Sequence, residues 1–128
     1  MILLFTFPLF YAKILKHEVL FGEDVRKLMT EKIHDKNTDF LFQAILALET
    51  PEECYKFFDD LCTVPELKAM SQRLAVAHML SHKRVYSDIV AETGASTATI
   101  SRVNRSLNYG SDGYELVFGR LDKKESQE

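Results

Sequence analysis

Proline and glycine are scarce, three and five residues in a chain of 128. That composition excludes collagen-like repeats and Pro/Gly-rich linkers, and a hydrophobic content of 46% excludes intrinsic disorder. Compact domains run to roughly 100–150 residues, so one core is expected and two will not fit. Cysteine is equally sparse: Cys54 and Cys62 are too few for a disulfide-stapled secreted scaffold. Both lie in apolar helical context and read as buried thiols of a reducing compartment, which points to the cytoplasm. No apolar run reaches the ~20 residues of a membrane span. The N-terminal run Met1 to Ala12 stops at Lys13, its positive charge follows instead of preceding it, and no small-residue cleavage site comes after. A membrane partner and a signal peptide are therefore not expected. Glycine-rich phosphate loops, nucleophile elbows and CxxC pairs are missing too, so neither an enzyme nor a cofactor is expected.

The N-terminal run admits two readings, an apolar arm that docks on a partner subunit or upstream codons read into the frame. Gly22-Glu23 back-translates to a codon family containing a ribosome-binding sequence, with Val25 as a GTG start just downstream and Met29 as a second candidate. The second reading is favoured. Residues 1–36 are then an extension, 37–121 the folded domain and 122–128 a solvated tail.

Net charge is −3, but it is unevenly spread. From Glu31 to Met70 nine acids face four bases, whereas from Ser71 to Gly110 five bases face two acids. A basic face can thus sit inside an acidic protein, and only a motif distinguishes it from chance clustering.

The apolar pattern is helical throughout. Phe40, Leu41, Ala44, Ile45 and Leu48 recur at helical spacing. Thr50-Pro51-Glu52-Glu53 is a capped start with proline at the first helical position, opening a helix that carries Cys54, Tyr55, Phe57, Phe58 and Leu61. Thr63-x-x-Glu66 repeats the capping logic around Pro65, and Leu67, Met70, Leu74, Ala77 and Leu80 mark a longer third helix. The fold class is all-α.

Tyr86 to Glu92 then forms a short helix with Ile89 and Val90 inward, Gly94 supplies a turn able to take positive φ, and Ser96 caps a new helix through Ser106. Ile100, Val103 and Leu107 face the core, leaving Thr97, Ala98, Ser101, Arg102 and Arg105 outside. Helix, glycine turn and helix with a small polar N-terminus is the helix-turn-helix signature, although helical hairpins that never touch DNA also carry it. As a groove reader it makes physical sense. Ser96, Thr97, Ala98 and Thr99 are short enough for close approach, and the free amides of the helix N-terminus favour a phosphate. Thr methyls meet thymine methyls, while Arg102 and Arg105 reach phosphates or guanine edges. Lys83, Arg84 and Ser87 support from the first helix of the unit. Asp112-x-x-Glu115 opens a last helix with Leu116, Val117 and Leu121.

A longer run adds specificity. T-G-A-S-T-A-T-I-S-R-V-N-R-S-L-N-Y-G from Thr93 to Gly110, C-Y-K-F-F-D-D-L-C-T from Cys54 to Thr63, and Q-R-L-A-V-A from Gln72 to Ala77 resemble the YerC/YecD subfamily of the Trp repressor superfamily. The resemblance covers Asp39 to Leu121 and implies an intertwined homodimer of six-helix subunits. Its expected target is a near-palindromic double-stranded operator, read in the major groove by a sequence-specific transcriptional regulator, expected to be a repressor. Tyr86 to Thr93 resembles the first helix of the reading head, and Ser96 to Leu107 the recognition helix.

The resemblance also suggests an effector pocket. Arg73 and Arg102 match two ligand-clasping arginines of the tryptophan-sensing repressor, and Thr63 and Ser106 match hydroxyl positions beside them. Where that repressor has glycine to admit an indole ring, this chain has Val103, so tryptophan is not expected to bind. Lys83 stands where the subfamily usually has glycine; a positive φ there would cost lysine on the order of 1 kcal/mol.

Two other clusters read as surface. His78 and His82 are spaced i, i+4, but no carboxylate or cysteine accompanies them in the pattern and H-E-x-x-H is absent, so no metal is expected. Asp59 and Asp60 are adjacent and diverge by about 100° on a helix. The rival to DNA binding is a helical protein-interaction module. Exposed Arg102 and Arg105 beside short Ser/Thr residues favour DNA, because a protein-docking face centres on aromatics or large aliphatics.

Overall fold

The computed structural model describes residues 31–128. The described residues divide between Leu48 and Glu49 into two units. Candidate starts at Val25 and Met29 lie outside the described residues, as does most of the N-terminal extension. Six complete helices lie within them: α1 Lys36–Leu46, α2 Pro51–Leu61, α3 Val64–Ser81, α4 Tyr86–Thr93, α5 Thr97–Tyr109 and α6 Gly113–Glu125. No strand occurs among the described residues.

Short polar side chains cap the starts of α1, α2, α3 and α5, whereas α4 and α6 begin without a side-chain cap bond. The Asp35 carboxylate accepts the amides of Asn37 and Thr38 ahead of α1, at 2.8 and 2.9 Å. Thr50 accepts the Glu53 amide at 3.2 Å, with Pro51 at the first helical position. At α3 a full capping box forms: Thr63 Oγ1 accepts the Glu66 amide, and Glu66 Oε2 accepts the Thr63 amide at 2.7 Å.

The core of the second unit is small and built on α3. Val76, Ala77 and Leu80 pack with Ile89 of α4, Ala95 of the turn, Ile100 and Val103 of α5, and Phe118 of α6. Ile89, Ile100 and Val76 are fully buried, each worth roughly 1.5–3 kcal/mol of transfer free energy. Ile100 and Val103 were legible as inward; Val76 and Phe118 were not.

Several positions expected inside are exposed. Met70 and Leu74 of α3, Val90 of α4, and Leu116, Val117 and Leu121 of α6 all face outward. Each lies on an apolar face that this chain's own core does not reach. In α1 and α2 no residue is buried at all. For the same reason Cys54 is exposed and Cys62 half-buried, not the buried thiols expected. Residues 122–128 are all exposed, and α6 runs into them as far as Glu125. Lys123 and Lys124 occupy its last turn, where the helix dipole favours cations.

Candidate nucleic-acid interface

The approach to the helix-turn-helix is fixed by the end of α3. Arg84 donates its amide to the Met79 carbonyl and Lys83 donates to that of Leu80, the paired bonds of a Schellman motif. The left-handed residue of that motif is Lys83 itself, at φ 60°. The expected positive φ is therefore present and occupied by a lysine.

Helix α4 ends on Gly94 at φ 67°, whose amide donates to the Val90 carbonyl at 2.9 Å. Thr93 seals the turn from inside. Its hydroxyl donates to the Ile89 carbonyl at 2.6 Å and accepts the Ala95 amide at 3.2 Å. From α3, the Gln72 side-chain amide donates to the Thr93 carbonyl at 3.1 Å. Gln72 and Thr93 position the turn, and sequence reasoning singled out neither for that role.

Ser96 caps α5 as expected, accepting the Thr99 amide at 3.1 Å and donating its hydroxyl to Thr99 Oγ1 at 3.0 Å. Those bonds occupy Ser96 and Thr99, so Thr97 and Ala98 are the freer residues of the first turn. Thr97, Ala98, Ser101, Arg102 and Arg105 are exposed, while Ile100 and Val103 hold the opposite face in the core. The helix continues past Ser106 to Tyr109 and stops at Gly110.

The basic residues divide into two kinds. Arg102 and Arg105 project from α5 with no carboxylate partner among the described residues. Arg84 instead pairs with Glu92, with Asp88 at 3.8 Å from its Nε. Its charge is largely answered within the head, leaving Lys83 as the freer cation at this entry. Ser87 is exposed on the first turn of α4.

The expected effector residues are less assembled. Thr63 spends its hydroxyl on Glu66, Arg73 and Ser106 are exposed, and Val103 is only 2% exposed within the core. An open groove of about 840 Å³ does exist, but it is lined by other residues, including Lys83, Arg84, Asn104, Asn108 and Glu115. Thr63, Arg73, Arg102, Val103 and Ser106 do not line it. His82 and Asp122 also border this groove. Asp122 meets His78 and His82, supplying the carboxylate whose absence argued against a metal pair. The pairing of α3 with α6 across a long stretch of sequence hid it.

Helix, left-handed glycine turn and serine-capped helix, held on a longer scaffold helix, make this an all-helical protein with a helix-turn-helix. Comparison with known proteins narrows the class. The profile of the Trp repressor protein family matches residues 36–122, and the chain belongs to that family. It is 51% identical over 100 residues to the uncharacterised protein YerC of Bacillus subtilis (strain 168), covering 78% of this chain and 96% of YerC. A TrpR-like protein from Eubacterium eligens ATCC 27750 superposes with a TM-score of 0.70 at 56% identity, over 72% of this chain and 95% of that one. A candidate Trp repressor from Staphylococcus aureus gives the same TM-score at 54% identity, over 72% and 92% of the two chains. No helix among the described residues is long and apolar enough to cross a membrane.

Proposed function

We propose that the protein is a sequence-specific DNA-binding transcriptional regulator, a non-catalytic member of its family acting in the cytoplasm, with α5 as the recognition helix. One observation carries the reading. Arg102 and Arg105 stand about one turn apart on the outer face of α5, unpaired among the described residues, beyond a first turn of short residues. Small residues let the helix N-terminus approach the groove, and guanidinium forks match phosphate and guanine geometry.

The regulator acts as a homodimer. Phe40 and Leu46 of α1 are 72% and 84% exposed, and neither α1 nor α2 buries a residue. Apolar faces of that width are stable in water only against another surface, and a second copy offers a matching one. A two-fold dimer presents two recognition helices, so the operator is a near-palindrome with half-sites about one helical turn apart.

The test is the double variant Arg102→Ala/Arg105→Ala, assayed with genomic fragments selected by the wild-type protein. Loss of specific binding is expected, with helicity by circular dichroism and mass by light scattering unchanged. Wild-type affinity should fall steeply with salt as phosphate contacts release counterions. Undiminished binding by the variant overturns the reading head, and a folded monomer at micromolar concentration overturns the dimer.

A further inference from the structure

We infer that His78, His82 and Asp122 form a divalent transition-metal site that ties the C-terminal end of α3 to α6. The ligand atoms of the three side chains lie within 4.8 Å of one another. They come from the C-terminal end of α3, including its capping residue His82, and from α6. His78 lies in the last turn of α3 and His82 is the residue that caps it, four positions on; on α6, Phe118 and Asp122 have the same spacing, so each pair falls on one side of its segment. The first rung of contact is His78 edge-on to buried Phe118, with ring centroids 5.2 Å apart. Four residues further on in each segment, the cap residue His82 meets Asp122.

The protonation of His82 suits a ligand. Its Nδ1 lies 2.8 Å from the His78 main-chain carbonyl, which can only accept, so Nδ1 carries the proton. The lone pair is then on Nε2, free to bind a metal. A ring whose other nitrogen donates to a backbone carbonyl is the usual outer-shell arrangement of a metal-bound histidine, fixing tautomer and ring orientation. Ser81 reinforces it, its hydroxyl donating to the same carbonyl at 2.7 Å and lying 3.2 Å from Nδ1.

Two imidazoles and one carboxylate suit zinc, cobalt(II) or nickel(II) better than the hard cations, which prefer all-oxygen sets. Metal–ligand bonds of about 2.0–2.2 Å place tetrahedral ligand atoms about 3.3 Å apart. The observed separations close to that value by side-chain rotation, which three exposed side chains permit. His78 and His82 already lie side by side, with ring centroids 4.4 Å apart and planes tilted by 48°. The open groove bordered by His82 and Asp122 gives an ion its path in and leaves a coordination position for water. Metal bound here would clamp α6 directly beside the Lys83 turn that leads into the helix-turn-helix.

The test uses the tag-free full chain stripped of metal, titrated with zinc by calorimetry and with cobalt(II) by its visible d–d absorption. One equivalent per chain with micromolar or tighter affinity is expected, together with a higher thermal midpoint in zinc. His82→Gln and Asp122→Asn should each weaken binding at least tenfold while keeping wild-type helicity, since both side chains are exposed. His34→Gln, at a histidine beside Asp39, should bind as wild type does. No zinc or cobalt binding at a hundred micromolar, or equal binding by wild type and both site variants, overturns the inference.

Discussion

The Gln72 side-chain amide donates to the main-chain carbonyl of Thr93 at 3.1 Å, joining the middle of α3 to the last residue of α4. That carbonyl stands at a helix end, where intrahelical donors run out, and it is partly buried. Removing the donor leaves it without its protein partner in this structure. Gln72→Ala should therefore lower stability by about 0.5–1.5 kcal/mol. Hydrogen exchange at Gly94 and Ala95 should accelerate more than at Val76, because the loss is local to the turn. Uniform acceleration would mean that the bond supports the whole core instead.

Lys83 occupies the left-handed position of the Schellman motif, where a Cβ is disfavoured. Lys83→Gly should raise stability by about 1 kcal/mol, read as a higher thermal midpoint without DNA. Loss of a cation at the entry to the reading head should at the same time weaken DNA binding and flatten its salt dependence. A lower midpoint would show that the lysine stem makes contacts that outweigh its backbone strain.

Much of this arrangement is legible in local sequence. Thr50, Thr63 and Ser96 announce helix starts because capping is an interaction between residues three apart, and Gly94 announces its turn because only glycine takes positive φ freely. Arg102 and Arg105 emerge on the outer face because Ile100 and Val103 fix the inner one. Periodicity fails where one helix carries more than one apolar face. On α3, Met70 and Leu74 share the helical pattern of Ala77 and Leu80, yet only the latter two meet this chain's core. On α6 the pattern favoured Leu116, Val117 and Leu121 and passed over Phe118. The pairing of Asp122 with His78 and His82 depends on how α3 and α6 align, which no local spacing encodes.

Gly110 ends the recognition helix where a side chain has no room. A Cβ there would overlap the main-chain carbonyl oxygen of Ser106, which accepts the Gly110 amide at 2.8 Å. Backbone cannot give way as a flexible side-chain tip can. Gly110→Ala should cost roughly 1–3 kcal/mol, measured by denaturant unfolding. Gly119→Ala is the control, because a Cβ there meets nothing within 4 Å and alanine is the better helix former; it should be neutral or slightly stabilising.

The capping box at α3 links stability to acid pH. The Thr63 amide and then its hydroxyl hold the Glu66 carboxyl below its ordinary value of 4.5. A carboxyl with a lowered folded-state pKa stabilises the fold above its unfolded-state value, and that contribution disappears as pH falls through the folded-state value. Glutamine retains the side-chain oxygen as an acceptor, so Glu66→Gln removes chiefly the charge. The midpoint difference between wild type and Glu66→Gln should be constant above about pH 5 and shrink steadily below pH 4.5. A difference independent of pH would assign the effect to packing.

Val103 fills the core space beside α3 at 2% exposure, with Ile100 on one side and partly buried Leu107 on the other. A ring could enter there only by displacing α5 from α3, and close-packed interiors resist such displacement. Thr63 already spends its hydroxyl on Glu66, so one polar group of the expected pocket is engaged as well. Tryptophan is therefore expected to leave DNA affinity unchanged and to give no heat on titration. If Arg73 and Arg102 hold any effector, it is a carboxylate too small to reach Val103. Val103→Gly should lower stability by about 2–4 kcal/mol, combining a core cavity with glycine's poor helix propensity. The space it opens gives the steric argument its sharpest check. Tryptophan binding gained only in Val103→Gly would identify the valine as the block, whereas micromolar binding by the wild type would show that α5 moves aside.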